Sequence, residues 1–410
     1  MEWKEVRLGD IVSIKSGLAY KGTFIGKGEN ILLGMGCVSF KDKFLFSGAR
    51  PYEADCDDKY CVEPGDIVLA TRQQSDKLPI LAMPAIIPSS LKAKKIIYGT
   101  NLYKVENHSE VTNDFLFWQL KTPDYIDYIS SVKTGSVVRM VTKKNVEDYV
   151  FRCPPKEVRD RISKLLWGLD RKIELNNKIN ADLEEMAQAI FKNWFVDFEP
   201  FKDGKFVDSE LGMIPEGWKV GCLGDMGNIV CGKTPSKANS NYYGGDIPFI
   251  KIPDMHGNVF VESSEDRLTE LGSLSQIKKL IPPSSLMVSC IATVGLVSIN
   301  TKPSHTNQQI NTVIPHNKSA LFYLYQYIKN NEELLKNMGR GGTTTLNVNT
   351  KSFSNIRLLI PSEIAQEQFH RVVEGLFKKI ELNLHESRTL SLLRDTLLPR
   401  LMSGEIEVPE

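Results

Sequence analysis

The sequence has almost no net charge, because 51 Lys and Arg stand against 50 Asp and Glu and leave a formal total of +1. A chain with this total that binds nucleic acid has to concentrate its basic residues on one face, since the total gives no long-range attraction. Long apolar runs are also missing: none approaches the ~18 residues that span a bilayer, and the chain is charged from Glu2 onward. The sequence therefore argues against a histone-like binder, a signal peptide and a transmembrane helix, and predicts no membrane partner.

Catalytic and metal-binding patterns are scarce as well. The seven cysteines form no Cys-x-x-Cys pair and their number is odd, which favours a reduced cytoplasm over a disulfide-bonded secreted protein. The six histidines have no metal-ligand spacing, and the chain has no Gly-x-Ser-x-Gly elbow, no GxGxxG loop and no Asn-Pro-Pro-aromatic loop for methyl transfer. We therefore expect no catalytic residue, no metal and no cofactor on this chain, and a binding protein is favoured over an enzyme.

One string resembles a nucleotide-binding motif. Residues 227–234 (GNIVCGKT) match the phosphate-binding P-loop pattern letter for letter. A P-loop needs a strand before its first glycine and a helix near its lysine, whereas here the interior of the motif looks like the strand itself and turn residues follow it. A P-loop nucleotide hydrolase is kept as the alternative. Lys233, Thr234 and Ser236 are instead interpreted as a polar loop at a strand end, in a position to contact phosphate.

The sequence contains an internal duplication. One block of residues recurs 215 positions later and a second block recurs 207 positions later. The first block comprises Trp3, Leu8, Gly9, Asp10, Ile14 and Gly17, which return as Trp218, Leu223, Gly224, Asp225, Ile229 and Gly232. The second block begins at Gly135, which returns as Gly342, and ends at Asn176, which returns as Asn383. A unit of roughly 200 residues is too long for a solenoid repeat of ~20–50 residues, so we predict a duplicated domain pair with a pseudo-twofold axis and two unequal binding sites.

Periodicity divides each copy into a sheet-rich domain and a helix. Residues 1–153 and 217–360 alternate short β-branched and aromatic runs with turn residues, and each also carries a helix-like stripe, so both domains are predicted to be α+β. Residues 154–197 and 361–404 place apolar residues at spacings of three and four, which predicts one long amphipathic helix in each copy. Residues 198–216 are rich in Pro, Gly and charge, as is typical of an ordered linker.

The two helices are expected to pair as an antiparallel coiled coil, because the first delivers the chain to the second domain and the second has only the first as a matching partner. Each would be on the order of 55–60 Å long, and the second is predicted to end at Pro399, which cannot donate the next helical hydrogen bond. Asn176 and Asn383 interrupt the apolar stripe and are predicted to form a polar layer that fixes the coiled-coil register. The alternative is two solvated asparagines on an outer face.

Polar side chains cluster in loops that we expect to be equivalent in the two copies. Glutamine and asparagine pair with adenine in a major groove and arginine pairs with guanine, while amides, hydroxyls and cations suit phosphate oxygens. The candidate base-reading residues are Thr71, Arg72, Gln73, Gln74, Asn307, Gln308 and Gln309. The other candidate DNA contacts are Ser16, Lys21, Lys133, Ser136, Arg139, Arg340, Thr343 and Thr344, together with Lys233, Thr234 and Ser236. For each of them the alternative is a solvated polar loop, since most surface polar residues contact nothing.

Three longer stretches carry a resemblance to a known family. They are residues 191–200 (FKNWFVDFEP), 209–219 (SELGMIPEGWK) and 397–406 (LLPRLMSGEI), and the paired Lys-Ile-Glu-Leu-Asn helices belong to the same signature. Over nearly its whole length the chain resembles the specificity (S) subunits of Type I restriction-modification systems.

The resemblance implies two target-recognition domains, residues 1–153 and 217–360, each reading one half of a split double-stranded DNA site, with the helices as a spacer that sets the gap and docks partners. It also implies two modification subunits that carry S-adenosylmethionine chemistry, and restriction subunits that carry ATP- and Mg-dependent translocation and cleavage. This chain would itself be no enzyme. A fused DNA methyltransferase, and an assembly scaffold that has lost DNA reading, remain competing interpretations.

Overall fold

The computed structural model describes residues 3–74, 79–340 and 346–408. The chain divides into two compact units: unit 1 comprises Met1–Arg171 and Leu390–Glu410, and unit 2 comprises Lys172–Thr389. Each unit combines small sheets with short helices and with segments of two helices of 40 and 41 residues. This architecture confirms the predicted α+β class with two repeated domains and two long helices. Among the described residues, none of the helices has the length and apolar character needed to cross a membrane.

Unit 1 contains twelve of the described strands. They are β1 (Lys4–Arg7), β2 (Val12–Ser16), β3 (Ile25–Leu33), β4 (Ala49–Tyr52), β5 (Cys61–Val62), β6 (Ile67–Ala70), β7 (Arg72–Gln73), β8 (Pro84–Ile86), β9 (Ile96–Tyr98), β10 (Leu102–Asn107), β11 (Arg139–Met140) and β12 (Val150–Cys153). Two four-stranded sheets have the orders β2-β10-β6-β8 and β4-β3-β9-β5, and β1-β12 and β7-β11 form two-stranded ribbons. The interior strand β6 is buried along its whole length, which explains its uninterrupted apolar sequence.

Three short helices of unit 1 are α1 (Asn113–Gln119), α2 (Pro123–Val132) and α3 (Lys143–Glu147), and the first long helix, α4 (Lys156–Phe195), begins in this unit. A threonine precedes each short helix and caps it: Thr112, Thr122 and Thr142 accept hydrogen bonds from backbone N–H groups of the first turn. The helix α1 is the apolar stripe seen in the sequence. Its residues Phe115 to Gln119 are all buried against the β2-β10-β6-β8 sheet and α4.

Unit 2 repeats this plan with connecting loops of different length. Its strands are β13 (Phe206–Val207), β14 (Ile214–Pro215), β15 (Lys219–Cys222), β16 (Gly227–Cys231), β17 (Tyr243–Ile250), β18 (Phe260–Val261), β19 (Arg267–Leu268), β20 (Leu286–Ser289), β21 (Val297–Asn300), β22 (His305–Thr306), β23 (Ile310–Pro315) and β24 (Arg357–Ile360). Its helices are α5 (Leu223–Met226), α6 (Ile252–Met255), α7 (Glu270–Leu274), α8 (Leu321–Asn330), α9 (Glu332–Gly339), α10 (Thr350–Ser354) and the second long helix, α11 (Glu363–Ser403), which ends in unit 1. The main sheet has the order β16-β23-β20-β21-β18.

The register of strand pairing is the same in the two main sheets. In unit 1, Ile14 of β2 pairs with Val105 of β10, and in unit 2 the repeat-related Ile229 of β16 pairs with Val313 of β23. In both sheets the strand that begins after the polar loop, β10 or β23, lies between two antiparallel neighbours. The internal repeat of the sequence is therefore a repeat of the sheet framework.

The long helices pack against each other in antiparallel fashion in both units. In unit 1 the beginning of α4 shares a core with the end of α11, where Ile162 and Leu166 join Leu401. In unit 2 the end of α4 shares a core with the beginning of α11, where the rings of Phe195 and Phe369 have centroids 4.9 Å apart. The predicted antiparallel pairing is confirmed.

The prediction that the second helix ends at Pro399 is wrong, because α11 continues to Ser403. A proline inside a helix costs roughly 3 kcal/mol. Against this cost, Leu398, Leu401 and Met402 are buried in the core of unit 1, and each such side chain contributes about 1.5–3 kcal/mol when it leaves water. The last turn is therefore held by tertiary packing, which a helix-ending rule based on sequence does not include.

Asn176 and Asn383 are 0% and 1% exposed, so the alternative of solvated asparagines does not hold. The Nδ2 atom of Asn176 donates to a carboxylate oxygen of Glu386 at 2.8 Å and lies 3.5 Å from the backbone oxygen of Asn383. Asn383 in turn donates to the Oδ1 atom of Asn180 at 2.9 Å. The two helices thus enclose a polar layer inside unit 2, and we propose that this layer sets their register.

Candidate nucleic-acid interface

Most of the polar candidates of unit 1 lie at one end of its main sheet. Strand β10 begins there at Leu102, and its antiparallel neighbours β2 and β6 end there. The turns are joined by backbone hydrogen bonds from Gly17 N–H to the Leu102 oxygen at 3.2 Å and from Thr71 N–H to the Asn101 oxygen at 3.0 Å. Ser16, at the end of β2, and Lys21, five residues later, are exposed.

The corresponding end of the main sheet in unit 2 is built with the same bonds. Gly232 N–H donates to the Ile310 oxygen at 3.1 Å, and Cys290 N–H donates to the Gln309 oxygen at 2.8 Å. These residues are the repeat equivalents of Gly17, Leu102, Thr71 and Asn101. We call the two regions the strand-end sites. The site of unit 1 consists of the turns that follow β2 and β6 and the turn that precedes β10. The site of unit 2 consists of the turns that follow β16 and β20 and the turn that precedes β23.

In unit 1 the geometry separates the candidate base-reading residues into two classes. Gln73 is only 5% exposed, and its Oε1 atom accepts the backbone N–H of Leu81 at 3.1 Å, so this side chain has a structural role. Thr71 is buried as well, whereas Arg72 and Gln74 are exposed. Arg72 and Gln74 are therefore the members of this loop whose side chains are accessible to a ligand.

A second loop of unit 1 reaches the same region. Strand β11 pairs with β7, which places Arg139 opposite Gln73 and Met140 opposite Arg72. The guanidinium group of Arg139 donates to the Gly135 oxygen. Ser136 is exposed on the turn before β11, and Lys133, at the start of this turn, is half-buried. The structure thus brings the segment 133–139 next to the Arg72 loop.

In unit 2 the candidates of two separate segments meet. Lys233 N–H donates to the Thr306 oxygen at 2.9 Å, and the Thr234 hydroxyl donates to Oε1 of Gln308 at 2.6 Å. Ser236 is exposed two residues beyond Thr234. The loop after β16 and the loop before β23 are therefore fixed to one another.

The remaining candidates of unit 2 lie in the chain between α9 and α10. Arg340 follows α9 and donates to Oδ1 of Asn337 at 2.7 Å, whereas Thr343 and Thr344 lie outside the described residues. The chain then returns to the strand-end site, where Val348 N–H donates to the Cys290 oxygen at 2.8 Å.

The expectation that the polar candidates lie in equivalent loops is wrong for the candidate base-reading residues. Residues 71–74 follow β6, whose counterpart is β20, so their equivalents are residues 290–293. Residues 307–309 precede β23, whose counterpart is β10, so their equivalents are residues 99–101. The two groups of candidates therefore lie on neighbouring but different turns of the same framework.

Two exposed hydroxyl residues at these turns were missed. Thr100 of unit 1 is the equivalent of Gln308, and Thr293 of unit 2 is the equivalent of Gln74. The distance in sequence between equivalent residues of the two copies changes along the chain. Once the strand pairs are known, this distance assigns each turn to its counterpart and would have identified both residues. Burial raises the pKa of the neighbouring Cys290 thiol to about 11, so this group is neutral.

The P-loop interpretation has no structural support. Residues 227–231, which would form the phosphate loop, are the strand β16 paired to β23, and the residues after Thr234 form a turn. The described residues also contain no group of three or more His, Cys, Asp and Glu side chains able to hold a metal ion.

Comparison with known proteins gives a consistent result. The family model described as Type I restriction modification DNA specificity domain matches the chain twice, over residues 1–185 and 215–391. The HindI specificity subunit of a Type I restriction enzyme from Haemophilus influenzae is 34% identical, in an alignment that covers 99% of this chain and 100% of that protein. The MjaIX specificity subunit from Methanocaldococcus jannaschii is 28% identical over 73% of this chain and 70% of its own length.

Among solved structures, the S subunit of a Type I restriction-modification system from M. genitalium has a similar fold, with a TM-score of 0.53. It is 14% identical, and the superposition covers 98% of this chain and 96% of that chain.

Proposed function

The chain belongs to the Type I restriction-modification DNA specificity family, and we propose that its two strand-end sites each read one half of a split DNA site. As a specificity subunit it acts with DNA and with the other subunits of a restriction-modification system, and it is a DNA-recognition subunit without catalytic activity of its own. The observation that carries the proposal is the repeated framework: the same turns occur in both units, while the side chains on them differ. A common framework with different side chains suits two related half-sites of unequal sequence.

The chemistry of the two sites supports base reading. Unit 1 offers Arg72 and Gln74 on an exposed loop beside Arg139, and unit 2 offers Gln308 beside Lys233. Arginine and glutamine carry the donors and acceptors that distinguish guanine and adenine in a major groove, and the cations suit phosphate oxygens. Because the whole chain has a net charge of only +1, we propose that partner subunits supply much of the phosphate neutralisation.

We propose that the paired helices α4 and α11 set the gap between the half-sites and dock two modification subunits. Support for the docking comes from exposed positions that repeat. Leu175 in α4 and its equivalent Leu382 in α11 are 51% and 56% exposed, and the neighbouring Lys172 is repeated as Lys379. Buried positions repeat because both copies pack the same kind of core, but a half-exposed leucine contributes little to core packing. Identical surfaces on both helices are what two copies of one partner would bind.

S-adenosylmethionine, ATP and Mg are proposed to bind partner subunits, with ATP and Mg serving the restriction subunits. The chemistry of this chain fits that assignment, since the strand-end sites consist of amides, hydroxyls and cations suited to a polyanionic duplex.

The proposal is tested by exchanging residues 217–360 for the second domain of a relative, with co-expression of the cognate modification subunit in both cases. Methylated positions are then mapped by modification-sensitive sequencing. The hybrid is expected to change one half-site and to keep both the other half-site and the gap. A change of both half-sites, or methylation without a split motif in the unexchanged chain, would contradict the proposal.

A further inference from the structure

The three neighbouring amides of unit 2 have different surroundings. Asn307 is only 7% exposed, and its Nδ2 atom donates to Oε1 of Gln309 at 2.9 Å. Its own Oδ1 atom accepts the backbone N–H of Gln309 at 3.1 Å. Asn307 and Gln309 therefore bind each other and shape the turn before β23. Gln308, between them, is exposed and takes no part in these two bonds.

Gln308 is nevertheless held in place. The Thr234 hydroxyl donates to its Oε1 atom at 2.6 Å, and the loop that carries Thr234 is fixed by the bond between Lys233 N–H and the Thr306 oxygen. Within the described residues, the Nε2 atom of Gln308 has no hydrogen-bond partner. The carboxamide is thus oriented, with both N–H donors and one lone pair of Oε1 available to a ligand.

The donors and the acceptor of the Gln308 carboxamide match the major-groove edge of adenine. Adenine presents a donor, the N6 amino group, beside an acceptor, N7, on its major-groove edge, and a carboxamide pairs with both at once. Guanine presents two acceptors at the same edge, so the Oε1 atom of an oriented carboxamide would face an acceptor. An amide that is held before binding also loses less conformational freedom when it binds.

We propose that Gln308 is a specificity-determining residue that reads an adenine in the half-site of unit 2, and that Thr234 is its positioning residue. The inference rests on the proposed function, since it assumes that unit 2 reads a half-site. It also gives a reason for unequal sites: the equivalent of Gln308 in unit 1 is Thr100, whose short hydroxyl cannot form the same two bonds.

The test uses the full chain, co-expressed with its modification subunit, and reads the methylated motif by sequencing. The unaltered chain is mapped first and is expected to give a split motif with an adenine in the half-site of unit 2, assigned by the domain exchange described above. Gln308→Ala is then expected to lower discrimination at that adenine by roughly 5- to 150-fold, with every other position unchanged.

Two further variants separate reading from positioning. Gln308→Glu, which carries acceptors alone, is expected to shift the preference at that position toward cytosine, whose N4 group is a donor. Thr234→Val is expected to weaken discrimination at the same position by a smaller factor, and Thr234→Ser to retain it. The matched control is Gln368→Ala, which truncates an exposed glutamine on α11 and is expected to leave the motif unchanged.

The outcomes are distinct. An unaltered split motif with Gln308→Ala, or an equal loss at all positions, would overturn the inference and leave the proposed function standing. Relaxation of a position in the other half-site would also overturn it. If the unaltered chain directs no split motif, both the proposed function and the inference are wrong. A melting temperature of Gln308→Ala equal to that of the unaltered chain shows that the variant is folded.

Discussion

Gly232 lies so close to Asn307 that a Cβ atom on the glycine would overlap with the backbone carbonyl oxygen of the asparagine. The same relationship exists in unit 1 between their repeat equivalents, Gly17 and Gly99. In both units the close approach joins the turn after the first strand to the turn before the central strand. The close approach of these two turns is therefore the same in both copies, whereas the side chains on the turns differ.

Replacement of these glycines by alanine should disrupt the sites. Gly232→Ala is expected to cost about 1–3 kcal/mol, because backbone atoms have to move to make room for the methyl group. The shift moves the loop that carries Gln308, so DNA binding should fall as well. Gly17→Ala should act in the same way in unit 1. Melting temperature and a gel shift at stated salt concentration, with modification subunits present, measure the two effects.

Gly22→Ala is the control, because a Cβ atom at Gly22 would meet open space. It should leave both the melting temperature and the DNA affinity unchanged. Equal affinities for Gly17→Ala, Gly232→Ala and Gly22→Ala would show that the close approach has no part in recognition.

The buried polar layer of the paired helices should respond differently to single and double substitution. Asn383→Ala leaves the Oδ1 atom of Asn180 without its donor, and a buried polar group that loses its partner costs about 1–3 kcal/mol. Asn180→Leu combined with Asn383→Leu removes both partners and should be close to neutral. Melting temperatures of the three chains test this, with Asn177→Ala, an exposed neighbour, as the control. A double variant less stable than Asn383→Ala would contradict it.

The sequence was sufficient to predict the duplication, the α+β class and the antiparallel helices, because these follow from periodicity and from residue identities repeated over long distances. It could not sort the polar candidates. Gln73 and Gln308 are the same residue type in similar loops, but Gln73 is buried against Leu81 and Gln308 is exposed beside Thr234. That difference depends on strand pairing between distant segments. The prediction that α11 ends at Pro399 failed for the same reason, since the last turn of the helix is held by the core of unit 1.

The stability of unit 2 should depend on pH through His305, which is fully buried. Its ring nitrogens face the Ser273 hydroxyl at 2.8 Å and the Gln276 amide at 3.4 Å, and burial lowers the pKa of His305 from 6.5 to about 4. Below pH 6.5 the unfolded chain binds a proton that the folded chain excludes. The contribution of His305 to the free energy of unfolding is therefore complete above pH 6.5. It decreases as the pH falls toward 4, by at most about 1.4 kcal/mol per pH unit.

The measurement compares the unfolding of the unaltered chain, His305→Gln and His256→Gln at pH 7 and pH 5. His305→Gln should lose less stability between the two pH values than the unaltered chain does, whatever its stability at pH 7. His256→Gln changes an exposed histidine and should behave like the unaltered chain. Identical pH dependence of all three chains would rule out the contribution of His305.

The repeated leucines of the long helices should control assembly with the modification subunit. Leu175→Asp and Leu382→Asp each place a charge on a surface that we propose is buried by a partner, and an unpaired buried charge is strongly unfavourable. Because both leucines are half-exposed in the free chain, its melting temperature should change little. Each variant is expected to retain one modification subunit instead of two, and the double variant none, as measured by mass photometry of co-purified complexes. Leu392→Asp is the matched control: Leu392 is equally exposed on α11, but its equivalent in α4 is Glu185, so an acidic group already occupies this position in one copy. Loss of assembly in Leu392→Asp, or full assembly in the double variant, would place the docking surface elsewhere on the chain.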